Sequence, residues 1–317
     1  MPLAELNRDR WPNSPKPTPV AGRVLQASKQ IHPLEETDMV IDEEPVRKYT
    51  DSSGNSFFFV RTRRVVSHAY DRYLPVMNSH FADFDVAGII TWHAGENAPD
   101  NILKSHTTGD VDSGNFGPAN PRYLRNLLLA MEKNRLKAGL EDYFVTTEAT
   151  HWSGMLYGGG SAEMITRFPV PLLDVEIGSS PACWSSEAAA GVLAESLFSI
   201  FESDGRRVRN LLCAGGVHFE RAFSGAVFQE WGDCAYGVSH ILANQWLITG
   251  HYDEKDGPEK LEACVASIQG GIEAIAFHDN LKGVYKDRFR ALGAKYDIPV
   301  FKHQNLRRPE EIPWADQ

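Results

Sequence analysis

Glu148, His151 and Glu176 are the residues whose types and spacing first suggest chemistry in this chain. Glu148 and His151 close the run Tyr143-Phe-Val-Thr-Thr-Glu-Ala-Thr-His-Trp-Ser-Gly154, and Glu176 closes Pro171-Leu-Leu-Asp-Val-Glu-Ile-Gly-Ser-Ser180. Each run is short and apolar and ends in polar residues and a glycine, the form of a buried strand opening into a loop. Ligands of open α/β sheets bind where strands end. Two carboxylates and an imidazole arriving there form an acid/base constellation; without chemistry to do, the same carboxylates would satisfy neighbouring loop amides. His93, His106, His218 and His240 also fall in expected loops or at strand ends. Histidine is the usual general acid/base and a common metal ligand. HExxH and Cys/His zinc spacings are missing, as are a GxSxG elbow and a GxxxxGK[ST] phosphate loop.

The elements that must position these residues follow from periodicity and breakers. Residues 1–20 carry five prolines and read as an extended or disordered arm. Residues 21–317 read as a single α/β domain. Arg23–Ser28 is expected as a strand, Leu34–Tyr49 as irregular, and Phe57–Val60 as a strand after the turn cluster Asp51–Asn55. Val65–Met77 suggests a helix and Val86–Trp92 a central strand. Ala94–Pro121 lacks periodicity and reads as a long functional loop. Arg122–Gly139 is a helix with Leu124, Leu127, Leu128 and Met131 on one face and Gly139 at its end. Ser185–Phe201 is a second helix capped by Ser185 or Ser186. Strands Arg209–Ala214, Ala235–His240, Glu273–Phe277 and Ile298–Phe301 alternate with helices Gly257–Ile268 and Asp287–Gly293. The class is therefore α/β, with a largely parallel sheet flanked by helices.

The chain has 317 residues, 42% of them hydrophobic, with a net charge of −10. That balance disfavours a generic, charge-driven nucleic-acid binder but leaves room for local basic patches, of which Arg206, Arg207 and Arg209 form one. No apolar run reaches membrane-spanning length, and the first residues lack an apolar signal core, so a cytoplasmic protein is expected. Cys183, Cys213, Cys234 and Cys264 are scattered, as free thiols would be.

The motifs, taken in order, resemble a family. His106-Thr-Thr-Gly109, Glu148-Ala-Thr-His151, Val175-Glu-Ile-Gly-Ser179, Gly215-Gly-Val-His-Phe219, Ser239-His-Ile-Leu242 and Leu281-Lys-Gly283 with Arg288 together resemble the D-aminoacyl-tRNA deacylases of the archaeal and plant type. The resemblance covers roughly residues 85–300. It implies an α/β fold related to peptidyl-tRNA hydrolases, cleavage of the ester joining a D-amino acid to the tRNA 3′ adenosine, and an association with zinc. Carried onto this chain, it points to His106, Glu148, Thr150, His151, Glu176, Gly216, His218 and His240 as the site. It turns Lys282 and Arg288 toward the RNA.

The departures shift the expectation. Where the family reads Glu-Ala-Thr-His-His-Gly-Pro, this chain has Trp152-Ser153-Gly154 in the last three places, and the family's Gly-Gly-His-Tyr becomes Gly216-Val217-His218-Phe219. Losing the second histidine removes a water activator or metal ligand, and the indole adds an apolar surface. An ester kept from water is open to attack by an amine. The main expectation is accordingly transfer between aminoacyl-tRNAs to make a cyclic dipeptide, as in the fungal arginine-containing cyclodipeptide synthases, which are thought to share a deacylase-like scaffold. Plain deacylation is the alternative, and an inactive RNA-binding protein the third reading. Thr150, Trp152, Asp110, Gly178, Gly216 and Phe219 are expected to contact substrate, with amides near Gly178 or Gly216 as the oxyanion donors. Lys282, Arg288, Arg206, Arg207 and Arg209 are expected to form a basic rim for RNA. No cofactor or metal is expected, zinc being possible if deacylase chemistry is retained.

Overall fold

The structure is a computed structural model and describes residues 19–95 and 98–314. The expected arm falls mostly outside these residues, and Pro19 and Val20 already belong to a helix, Pro19–Ile31. Val20, Val24 and Ala27 recur on its buried side, so the strand expected over Arg23–Ser28 is helical instead. The segment expected to be irregular forms two strands, β1 (Glu35–Ile41) and β2 (Glu44–Thr50), joined with β3 (Ser56–Phe59) in an antiparallel meander. Its first turn is Asp42-Glu43, both at positive φ, a hairpin turn made without the usual glycine.

Two further sheets hold the rest, in place of the one expected. β4 (Ala87–Trp92), β5 (Ile102–Thr107), β8 (Phe144–Thr146) and β9 (Leu172–Gly178) form a four-stranded sheet in the order β4-β9-β5-β8, and β6 (Gly109–Asp110) and β7 (Asn115–Phe116) form a small hairpin. β4 and β9 run parallel, β5 and β8 run parallel, and β5 meets β9 antiparallel. The second sheet is β11 (Glu230–Trp231), β12 (Cys234–Leu242), β10 (Arg207–Ala214), β13 (Ala274–Phe277) and β14 (Val300–Lys302), in that order. All of its pairings are parallel except β11 with β12. The class is α/β, and within these two larger sheets the pairing is mostly parallel, as the alternation of elements implies.

The helix Pro121–Lys137 lies at the centre of the largest core. Asn120 caps it by accepting from the Arg122 and Tyr123 amides, Pro121 starts it, and Gly139 at φ +69° lets the chain turn away at its end. Leu124, Leu127, Leu128 and Met131 are fully buried and pack with the helix Glu187–Phe198 and with residues of both larger sheets. That second helix is capped by Ser186, whose hydroxyl accepts from the Ala189 amide. With β9 buried along its whole length and β12 likewise, neither sheet offers a solvated face at these strands. Polar side chains on them therefore need partners inside the protein.

Candidate active site

The register of β5 against β9 gathers the site. Lys104 stands opposite Glu176 and His106 opposite Asp174. Alternate residues of a strand point to one face, so these four share a face. Glu148 arrives from the loop after β8, where it lies two residues beyond Thr146, the β8 partner of Lys104. The Lys104 ammonium, fully enclosed, contacts Glu148 and lies 2.9 Å from Glu176 Oε2. Four imidazoles close around Glu148. His218 Nε2 lies 3.0 Å from Oε2 and His93 Nε2 3.9 Å from the same oxygen; His106 and His151 approach Oε1 at 3.3 and 3.6 Å through Nε2. His106 and His151 stack with ring centres 4.1 Å apart. The cluster meets solvent through His218, whose side chain is 40% exposed, and His151, 22% exposed.

Burial and neighbouring charge divide the two carboxylates. Burial pushes Glu148 up, but Lys104, His218 and His151 together outweigh it and hold the carboxyl well below the usual range. Burial also raises Glu176, only partly opposed by Lys104, and its carboxyl reaches about 7. Burial and the nearby Glu176 keep Asp174 well above the ordinary carboxyl range. Burial would strip the Lys104 proton, yet Glu148 and Glu176 more than restore it. Burial lowers His151 to about 4 and His93 to about 3, so both rings are neutral at physiological pH.

The tautomers can be read from the backbone. His106 Nδ1 lies 2.9 Å from the Thr107 carbonyl and His151 Nδ1 2.9 Å from the Ala149 carbonyl. A carbonyl only accepts, so each Nδ1 carries the proton and each Nε2 presents a lone pair. Those two lone pairs and Glu148 Oε1 come together, while His106 Nε2 and both Asp174 oxygens lack a hydrogen-bond partner among the described residues. These are donors of the zinc type, each Nδ1 anchored to a carbonyl, with Glu148 Oε1 shared with the Lys104 ammonium. The expectation of no metal rested on His151 standing without its tandem partner; His106 comes from another strand to the place beside it.

Other expected site residues lie elsewhere. His240 is fully buried, with Nδ1 3.0 Å from Thr107 Oγ1 and 3.1 Å from Thr150 Oγ1, and Nε2 3.0 Å from Ser267 Oγ. Both ring nitrogens are engaged: Nδ1, with Thr150, ties β12 to β5, and Nε2 holds the end of the helix Gly257–Ala266. Trp152 is 4% exposed and packs edge-on against Tyr70 in an apolar cluster with Ile89, Ile165 and Phe168, so its indole does not line the cleft. Asp110 sits in the β6–β7 hairpin, where its carboxylate accepts from Ser113. The Gly216 amide donates to Asn280 Oδ1 and the Ser179 amide, next to Gly178, donates to Asp100, so these amides are not free to bind an oxyanion. Phe219 does line the site, edge-on to His93 at 5.3 Å and beside His218 at 5.1 Å.

The arginines divide by sheet edge. Arg206 pairs with Asp204 and Glu230, and Arg207 and Arg209 pair with Glu273. They lie at the start of β10, whereas His218 follows its end, so the expected rim at 206–209 is on the wrong edge of the sheet. Lys282 follows β13 on the same edge as His218; Arg288, on the helix Gly283–Tyr296, donates to the Asp253 and Glu254 carbonyls.

Sequence reasoning missed Lys104, Asp174 and Trp246. Lys104 stands two residues before His106 and Asp174 two before Glu176, a period-two signal visible once both runs are read as strands. Trp246, with its ring 5.3 Å from His218 and 5.9 Å from His151, walls the open side and has no local signature. A larger apolar cavity of about 620 Å³ lies apart, between the helix Pro19–Ile31, β3 and β4, and none of these site residues lines it.

The family model for D-aminoacyl-tRNA deacylase matches residues 80–301, which include every side chain of the cluster. A D-aminoacyl-tRNA deacylase of Methanospirillum hungatei is 24% identical over 241 residues, 74% of this chain and 48% of that protein. One from Cenarchaeum symbiosum is 24% identical over 198 residues, 55% of this chain and 71% of that protein. One from Metallosphaera sedula is 30% identical over 151 residues, 47% of this chain and 54% of that protein. The chain thus spans about half the length of the first of these relatives. A crystal structure of a conserved protein of unknown function has the same fold, with a TM-score of 0.70 at 17% identity, covering 92% of this chain and 94% of its own.

Proposed function

This chain belongs to the D-aminoacyl-tRNA deacylase family, and from that premise we propose that it hydrolyses the ester joining an amino acid to the 3′ end of tRNA, with D-aminoacyl esters as its substrates. The observation that carries the reading is the pair Glu148–His218 at the mouth of the cluster. His218 Nε2 donates to the buried carboxylate, which leaves Nδ1 as the proton acceptor on the exposed side. A water held there gives its proton to Nδ1 as its oxygen bonds to the ester carbon. The bond to the ribose oxygen then breaks, and that oxygen takes a proton from the Glu176 carboxylic acid. The proton returns from His218 to Glu176 through solvent. Two carboxylates pushed apart in pKa suit the separate roles of charged anchor and proton donor. Lys104 is enclosed and touches no substrate; it positions both carboxylates. His106, His151 and Glu148 would hold a zinc ion, which when bound supplies Lewis acidity beside the ester.

The transfer reading, with a cyclic dipeptide as product, loses its physical motive, because Trp152 packs in the core instead of shielding the ester. The relatives named above are deacylases. The inactive-scaffold reading required dispersed histidines, and four gather on one carboxylate. The test is mass spectrometry of the products released from tRNA charged with D- and L-amino acids. Free amino acid, released faster from the D-ester, is expected; a cyclic dipeptide, or no release, would overturn the proposal.

A further inference from the structure

A second polar group lies on the carboxyl edge of the five-stranded sheet, outside the Glu148 cluster. β10, β13 and β14 run parallel, so the segments that follow them, Gly215–Glu220, His278–Lys282 and His303–Arg307, meet on that edge. His278 and His303 stack with ring centres 4.2 Å apart, and His278 Nε2 faces Glu220 Oε2 at 3.6 Å. Beside them opens a cavity of about 280 Å³ lined by Glu220, Arg221, Gln229, His303, Leu306 and Arg307. Two buried atoms of its lining, Gln229 Oε1 and His303 Nδ1, have no hydrogen-bond partner among the described residues. Buried polar atoms are ordinarily satisfied, so orphans in a cavity wall mark the place of a polar ligand. Arg221 and Arg307 are exposed, and among the described residues neither has a carboxylate partner.

The chemistry asked for is mixed. Two unpaired guanidinium groups suit the oxygens of a phosphate. An amide oxygen and the Glu220 carboxylate suit N–H donors, and His303 Nδ1 suits a ring donor or acceptor. A nucleotide whose base carries an exocyclic amine supplies all three. Glu220 follows His218 by two residues, at most about 7 Å of chain, so an RNA strand with its esterified end at His218 reaches the cavity in a short step. We infer that this cavity is a subsite for the nucleotide preceding the esterified adenosine, with its phosphate on Arg221 and Arg307 and its base amine on Gln229 and Glu220. The inference rests on the ester-hydrolysis reading for its substrate and extends it from the reacting ester to the RNA strand.

Two measurements test it. The first is the affinity of an acceptor-stem RNA hairpin ending in CCA, and of the same hairpin ending in CUA, for the wild-type chain and for the double variant Arg221→Ala/Arg307→Ala. The second is hydrolysis of full-length aminoacyl-tRNA and of aminoacyl-adenosine by both proteins. The double variant is expected to bind CCA-ending RNA about tenfold more weakly, the scale of one charge-assisted contact. Its KM for aminoacyl-tRNA rises by the same factor, with kcat and the turnover of aminoacyl-adenosine unchanged. The wild type is expected to prefer the CCA end over CUA. Unchanged affinity in the double variant, no preference for the amine-bearing base, or equal losses on both esters would overturn the subsite. If the wild type hydrolyses neither ester while RNA affinity still depends on the two arginines and on the base, the subsite stands and the hydrolytic reading falls.

Discussion

At the scale of single residues, the site works by giving similar groups different surroundings. His218 and His151 both reach Glu148, yet His151 is held by the Ala149 carbonyl and burial lowers it to about 4, while His218 stands at the solvent side. His218→Asn keeps a donor to Glu148 but removes the proton acceptor. It should lower kcat for ester hydrolysis by roughly 10²–10⁴-fold with KM little changed, as steady-state kinetics on charged tRNA would reveal. Glu176 makes a separate prediction. Burial raises its carboxyl to about 7 against the opposing charge of Lys104, so the acid form disappears as pH rises through that value. The kcat/KM profile should fall on its alkaline side about tenfold per pH unit. In Glu176→Gln, which cannot donate as an acid, the whole profile should drop and that limb should flatten. A limb unchanged in the variant would assign the proton to another group.

At the scale of elements, the antiparallel contact of β5 with β9 decides which side chains meet. Lys104 and Glu176 form one cross-strand pair, His106 and Asp174 the next, and all four are buried. Lys104→Met removes the cation while leaving two carboxylates in the interior. It should cost about 3–5 kcal/mol, measured as the loss in denaturant unfolding free energy. The double variant Lys104→Met/Glu176→Leu should recover part of that loss, because one of the two buried carboxyl groups goes with the lysine while Glu148 remains. This strand also shows why some of the site was legible and some was not. β9 reads as a strand because Leu172, Leu173, Val175 and Ile177 surround its two acids, and Glu176 was found there. β5 is Ile-Leu-Lys-Ser-His-Thr, whose inward residues are the polar ones the site needs, so its hydrophobic signal is erased and it read as loop. The long helix Pro121–Lys137, with nothing catalytic on it, kept both its periodicity and its caps. β1 and β2 were lost for another reason: β1 is acidic and largely exposed, β2 sets Arg47 and Lys48 among its apolar residues, and their turn lacks glycine. His240 was overvalued because a histidine at a strand end looks the same in sequence whether it faces a cleft or bridges two sheets.

At the scale of the whole molecule, several buried neutral histidines couple the fold to pH. Burial lowers His93 and His240 to about 3 and His151 to about 4, against an ordinary value near 6.5. A depressed folded-state pKa gives stability that is present above the unfolded value and lost as pH falls toward the folded one. Glu176 and Asp174, both raised, act in the opposite sense and offset part of the loss. Melting temperature should therefore decline as pH is lowered from about 6.5 toward 4. His240→Asn should lower Tm at neutral pH but shallow the decline, and an unaltered slope would show that His240 is not charged on unfolding. The overall charge of −10 makes the position of cations matter for RNA. Arg206, Arg207 and Arg209 are paired and lie at the start of β10, so neutralising Arg207 should leave tRNA affinity and its salt dependence unchanged, whereas Lys282→Ala, on the edge beside His218, should weaken binding. The enclosure of Lys104 has one more consequence. Its amine has no exposed surface and is held as an ammonium by two carboxylates, so amine-reactive acylating reagents can label it only after the body of the protein opens. Mass-spectrometric labelling at Lys104 is thus a clock for that opening, read against the exposed lysines of the same chain. A ligand that closes the cleft should slow the clock without altering the labelling of Lys302 on the surface.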